Sequence, residues 1–148
     1  ERIPLTIADY DADRGTITLV VQALGRSTAE MRDHYADPDE FADIVGPLGV
    51  PTEIENVGHV VMVGGGLGVA PIYPQLRAFK QAGNRTTVIV GFRSADLAFW
   101  LDELGQWADE VIVCTDDGSM GRQGLVTEAL ADIVRDDRPD LVVPSARW

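Results

Sequence analysis

The sequence predicts an α/β protein: an open parallel sheet with helices on both faces, preceded by a shorter antiparallel portion. Three observations predict it. The apolar run Val60-Val61-Met62-Val63 enters the glycine-dense turn Gly64-Gly65-Gly66-Leu67-Gly68. From Gly58 onward apolar runs alternate with amphipathic segments, whereas the residues before Pro51 read as short β-branched runs closed by turn residues. Repeated βα units imply right-handed crossovers, which place helices on both faces of a parallel sheet.

The 148 residues match one domain, or one domain with a substantial piece of another. Hydrophobic residues make up 45% of the chain, enough for a real core. The net charge of −12 argues against a nucleic-acid surface and against acidic membranes. Eleven of the twelve basic residues are arginine, Lys80 being the exception. Cys114 is the single cysteine and sits at the end of the run Val111-Ile112-Val113, where it reads as a small buried hydrophobe. No signal peptide or membrane-length apolar span stands out, so a cytoplasmic protein is expected. The first residue, Glu1, predicts a piece cut from a longer chain.

In chain order, Arg2–Ala8 and Thr16–Ala23 are extended segments that form a hairpin around Asp11-Ala12-Asp13-Arg14-Gly15. Thr28 is placed to cap a helical turn through Ala29, Glu30 and Met31. Phe41 to Val45 reads as a strand, and Gly46–Thr52 as the linker, so the domain boundary is placed between residues 1–52 and 53–148. Strand Val60–Val63 leads to helix Ile72–Ala82, which Gly83-Asn84 ends; Thr86–Val90 is the next strand. Ser94 is read as the cap of a helix whose face is Leu97, Trp100, Leu101 and Leu104. Strand Glu110–Cys114, helix Leu125–Val134 and strand Asp140–Val143 complete the pattern.

Ligands of such sheets bind beyond the carboxyl ends of the strands. Three loops lie there: Gly64–Ala70, Gly91–Ser94 and Thr115–Gly121. Glycines at Gly64, Gly66 and Gly68 admit a sharp turn and a close approach of main-chain N–H groups to an anion such as a pyrophosphate. Alone, such a turn is equally a tight βα connection; its company of two other polar loops favours the ligand. In Thr115-Asp116-Asp117-Gly118-Ser119 the carboxylates suit ribose hydroxyls and would repel a 2′-phosphate, favouring NADH over NADPH. An acidic turn bonding its own backbone explains the same residues. Arg93 fits a phosphate partner or a solvated surface cation. Arg2 and Thr6 share a strand face, fitting either an anionic ligand or an edge strand, which tolerates Pro4. His34 and His59 have no partners at metal-ligand spacing, so no metal site is expected; no nucleophile elbow is present.

These stretches together resemble the ferredoxin–NADP reductase superfamily, within it the flavoprotein electron-transfer subunits of the dihydroorotate dehydrogenase, NADH-dependent ferredoxin:NADP oxidoreductase and sulfide dehydrogenase or hydrogenase diaphorase type. The matching segments are Arg2–Ile7, Gly25–Thr28, Gly46–Gly49, Gly64–Pro71 and Thr115–Thr127. The resemblance implies the C-terminal part of an antiparallel β-barrel flavin domain over residues 1–52, followed by a Rossmann-like NAD(P)-binding domain, with hydride passing from nicotinamide to flavin. By position it implies that Arg2 binds the FAD pyrophosphate, Pro4 and Leu5 lie near the ring and Thr6 bonds near flavin N5. Gly25, Ser27 and Thr28 would hold FAD phosphates. Gly64, Gly65, Gly66 and Gly68, with Asp116 and Asp117, would hold the dinucleotide; Arg93, Thr115 and Gly118 are counted beside them as candidate cofactor contacts. No catalytic acid or base is expected, because hydride transfer needs orientation above all.

Three departures accompany the match. Pro4 stands where many relatives have a flavin-stacking aromatic, the opening barrel strands are missing before Glu1, and the chain ends in Pro144-Ser145-Ala146-Arg147-Trp148 before the cysteines of a [2Fe–2S] cluster. The cluster is therefore expected only in a full-length protein with a partner redox subunit, and the fragment itself is expected to be inactive and to self-associate through residues 1–49. Two other readings stand beside this one. An S-adenosylmethionine-dependent methyltransferase wants an acid after the second strand, where Gly91-Phe92-Arg93 stands; a non-catalytic nucleotide-binding module would use the same pocket without flavin chemistry.

Overall fold

A computed structural model describes residues 2–34 and 43–145. It holds two sheets. The first is the antiparallel hairpin of β1 (Ile7–Asp11) and β2 (Thr16–Leu19), with Ile7 opposite Leu19 and an irregular register before Asp9. The Asp11 carboxylate accepts the Arg14 N–H at 3.0 Å, which closes the expected turn. Pairing starts at Ile7, however, and among the described residues the predicted strand segment Arg2–Thr6 has no ladder. Helix α1 (Arg26–His34) begins ahead of the predicted cap. Thr28 lies inside its first turn, and its hydroxyl reaches back to accept the N–H groups of Leu24 and Gly25 at 3.1 and 3.0 Å. That is the return half of a capping box, supplied by threonine. Of the predicted strand at 41–45, Phe41 and Ala42 lie outside the described residues, and Asp43–Val45 is not strand.

The second sheet is parallel throughout: β3 (His59–Gly65), β4 (Arg85–Phe92), β5 (Glu110–Thr115), β6 (Arg122–Gln123) and β7 (Leu141–Ser145). Its spatial order is β6-β5-β4-β3-β7. The chain thus moves outward from β3 in one direction and then returns to the other side of β3. Strands flanked on both edges and covered on both faces are continuously apolar, and Val60, Val61 and Met62 are fully buried. Alternate side chains feed opposite cores. Val60, Met62, Val88 and Val90 meet α2 (Val69–Gln81) and α3 (Leu101–Trp107), while Val61, Val63, Ile89 and Cys114 meet α4 (Val126–Asp136).

One predicted helix is broken. Ser94 makes no backbone cap; its hydroxyl donates to the Asp96 carboxylate. A single 3-10 turn, Ala95–Leu97, follows, and Trp100 takes φ +58° before α3 starts. A bulky residue there is strained. Edge-on ring contacts offset the strain, with Trp100 centroids 5.4 Å from Tyr73 and 6.1 Å from Phe99. Leu97 is consequently exposed instead of joining the apolar face. The two-residue β6 was not predicted, and Gly105 lies inside α3 instead of ending it.

Asn84, predicted as a helix stop, turns out to be a buried hub. Its Oδ1 accepts the N–H groups of Val57 and Gly58 at 2.8 and 3.1 Å, and its Nδ2 donates to the carbonyls of Glu55 and Phe79, both at 2.9 Å. At the same end Asp140 Oδ2 accepts the His59 N–H at 2.8 Å. The amino end of the sheet is thus locked, leaving the carboxyl end to the loops.

Candidate functional site

The strand order reverses beside β3, and the predicted glycine turn lies at the carboxyl end of that strand. Its glycines differ in what they do. A Cβ on Gly64 would meet Ile72 Cδ1 at 2.6 Å and the Gly68 carbonyl at 3.2 Å, so Gly64 permits the close packing of α2 on β3. Gly66 has φ +51°, and no atom lies within 4 Å of a Cβ built on Gly65 or Gly66. These two line open space. Gly68 precedes α2, whose first turn has no acidic residue and no side-chain cap. The Val69 N–H donates to the Gly66 and Leu67 carbonyls and Pro71 has no N–H, so main-chain donors for an anion would come from the Gly65–Gly68 turn itself.

The loops after β4 and β5 are stitched together. The N–H of Asp116 donates to the Phe92 carbonyl at 3.1 Å and that of Asp117 to the Arg93 carbonyl at 3.3 Å. Arg93 and Asp116 are exposed, and among the described residues neither side chain has a hydrogen-bond or ion-pair partner. Thr115 is different: fully buried, its hydroxyl donates to the Met120 carbonyl at 2.7 Å and accepts the Met120 N–H at 3.2 Å. Gly118 has φ +74° with the Gln123 side chain 3.1 Å from its Cβ position, so it serves the turn. The Asp117 carboxylate accepts the N–H and hydroxyl of Ser119 at 2.9 and 2.6 Å. Those bonds hold its carboxyl below the usual aspartate range.

In the amino-terminal portion Arg2, Pro4 and Thr6 share the exposed side of their segment, while Ile3 and Leu5 are half-buried. Leu5 therefore alternates away from the side that carries the other three predicted flavin contacts. Arg2 is exposed and pairs with Asp43 at 2.6 Å. Gly25 has open space around it, Ser27 is half-buried, and the Thr28 hydroxyl is engaged by backbone. No helix among the described residues is long and apolar enough to cross a membrane.

Sequence reasoning missed Arg77, which joins the hairpin to α2. Its Nη1 lies 2.7 Å from Asp9 Oδ1, its Nη2 donates to the Tyr10 carbonyl at 3.3 Å, and the guanidinium sits 4.8 Å from the Tyr10 ring centroid. The signal available was its i,i+4 spacing from Tyr73, whose ring centroid lies 5.9 Å away.

No protein-family model matches the chain. It is 43% identical over 141 residues, 95% of its length and 49% of the relative's, to a Thermotoga maritima protein named dihydroorotate dehydrogenase B (NAD(+)), electron transfer subunit homolog. A Fusobacterium nucleatum dihydroorotate dehydrogenase B (NAD(+)), electron transfer subunit, is 32% identical over 132 residues, 87% of this chain and 50% of the relative. A solved structure of an NADH-dependent reduced ferredoxin–NADP oxidoreductase, described for flavin-based electron bifurcation, superposes with TM-score 0.89 at 40% identity, covering 99% of this chain and 52% of that one. The chain spans about half the length of the curated relatives it matches.

Proposed function

We propose that this chain, similar over about half their length to electron-transfer subunits of the ferredoxin reductase-like type, supplies the nicotinamide-dinucleotide site, and part of the flavin site, of an NADH-dependent flavoprotein. In that reading residues 53–148 bind the dinucleotide and residues 1–52 contribute to an FAD domain. The electrons pass onward to an iron–sulfur partner subunit.

The observation that carries the reading is the open Gly65–Gly66 turn at the reversal of strand order, on the same sheet end as Arg93 and Asp116, whose side chains have no partner among the described residues. The main-chain N–H groups of the Gly65–Gly68 turn would hold the pyrophosphate, Arg93 would approach a phosphate or the adenine face, and Asp116 would accept ribose hydroxyls and repel a 2′-phosphate. Arg2, Pro4 and Thr6 share one exposed side, where the Thr6 hydroxyl suits a flavin ring edge and Arg2 would exchange its Asp43 partner for a flavin diphosphate. Bound nicotinamide and flavin supply the hydride donor and acceptor; the protein's part is orientation and water exclusion.

A fluorescence titration with NADH, NADPH and S-adenosylmethionine tests this. Saturable NADH binding is expected, tighter than NADPH, with the preference relaxed by Asp116→Ala about tenfold, the order of one charge–charge contact near the surface. Binding of S-adenosylmethionine alone would overturn the assignment.

A further inference from the structure

The two adjacent carboxylates, Asp116 and Asp117, are indistinguishable by charge or spacing, but their hydrogen bonds set them apart. Asp117 Oδ1 accepts both the N–H and the hydroxyl of Ser119. The Ser119 oxygen in turn accepts the Ala95 N–H at 2.8 Å, from the 3-10 turn that follows Arg93-Ser94. A serine hydroxyl has one proton, so an oxygen that accepts from Ala95 and donates to Asp117 has its direction fixed. With the two backbone bonds from Asp116 to Phe92 and from Asp117 to Arg93, the loop after β5 grips the loop after β4 on both sides of Arg93. Among the described residues the Asp116 side chain makes no such bond.

We propose that the aspartates divide the work. Asp116 meets the ribose, and Asp117 is a positioning residue that acts through Ser119 and Ala95 to hold the Arg93 loop beside it. This rests on the dinucleotide reading above. The arrangement requires an oxygen acceptor at position 117, not a negative charge. A ribose ligand or a 2′-phosphate repeller would require the charge itself. An Asx acceptor keeps its backbone bond whether it is aspartate or asparagine.

The test uses the full chain and four variants, Asp117→Asn, Asp117→Ala, Ser119→Ala and Asp116→Asn, each titrated with NADH and NADPH, with hydrogen exchange at the Ala95 amide followed without nucleotide. Asp117→Ala and Ser119→Ala are expected to weaken both nucleotides by about fivefold, the worth of one loop hydrogen bond, with the NADH/NADPH ratio unchanged and Ala95 exchange accelerated. Asp117→Asn is expected to restore affinity, ratio and protection, whereas Asp116→Asn relaxes the ratio. The proposal is overturned if Asp117→Asn relaxes the ratio as Asp116→Asn does, or if Ser119→Ala leaves Ala95 exchange unchanged. If Ala95 protection responds as expected but the unaltered protein binds neither nucleotide, the relay stands as structure and the dinucleotide reading fails, taking the division of labour with it. Because these side chains lie on exposed loops, Ser119→Ala cuts the relay even where Asp117→Ala perturbs folding.

Discussion

The parallel sheet and the portion before it treat apolar residues in opposite ways. In the sheet, Val60, Met62, Ile72, Leu76 and Val88 are fully enclosed by their own chain. In the stretch before it, Leu24, Ile44, Val45, Leu48 and Val50 stand out in solvent, Val50 at 95% exposure. One region satisfies its hydrophobic pattern from within; the other carries a pattern that its described neighbours do not cover. Burial drives folding in proportion to area removed from water, so stability should reside in the sheet and be nearly absent from the linker side.

The sharpest way to break that comparison is a pair of leucines. Leu76→Ala empties a site between α2 and the sheet and is expected to cost about 2–5 kcal/mol, read as a lower midpoint in urea unfolding. Leu48, 81% exposed, should tolerate the same change within about 0.5 kcal/mol. Equal losses would mean that residues 43–52 are packed in solution and that the contrast is false.

The same contrast explains what could be read from sequence. Val60–Val63 and Thr86–Val90 were legible because a buried parallel strand is a continuous apolar run and needs no partner to be recognised. The glycine turn was legible through residue type, but its division into a packing glycine at Gly64 and open glycines at Gly65 and Gly66 depends on where Ile72 points. Arg2–Thr6 alternates like a strand, yet among the described residues the hairpin ladder begins only at Ile7, because alternation marks an extended segment and not where its pairing starts. The break at Trp100 was invisible because an aromatic cluster outweighs local helical spacing. Thr115 is a candidate contact through the loop it shares with Asp116 and Asp117, yet its hydroxyl is spent on Met120; only the three-dimensional path of the loop shows that.

Between the regions lies Arg77, bonded to Asp9 and to the Tyr10 carbonyl and stacked over the Tyr10 ring. Its side chain is 18% exposed, so the pair is better shielded than a surface bridge. Arg77→Met keeps the stem and removes the fork. We expect a loss of about 1 kcal/mol in the docking of the hairpin, with faster hydrogen exchange in β1 and β2 and none of that change in β3 or β4. If β3 and β4 loosen equally, the hairpin is part of one cooperative unit and the two regions are not separable.

The smallest effect concerns acid. At the amino end of the sheet, the Lys80 ammonium lies 2.5 Å from Asp109 Oδ1 while the Thr86 N–H donates to Oδ2 at 2.8 Å. The lysine first and the threonine amide second hold the Asp109 carboxyl below its ordinary range. A carboxyl lowered in the folded state stabilises above its unfolded value and loses that contribution as pH falls through the folded one. The loss should therefore begin only below about pH 4. Both side chains are more than a third exposed, so solvent screening keeps the effect small. Its place in the comparison is local: acidification should quicken exchange at the Thr86 amide before the buried amides of β3 respond, and Asp109→Asn should remove that acid sensitivity. Persistence of the sensitivity in Asp109→Asn would assign it to another carboxylate, and Asp137, lowered by the Arg85 guanidinium at the same end of the sheet, would be the next to replace.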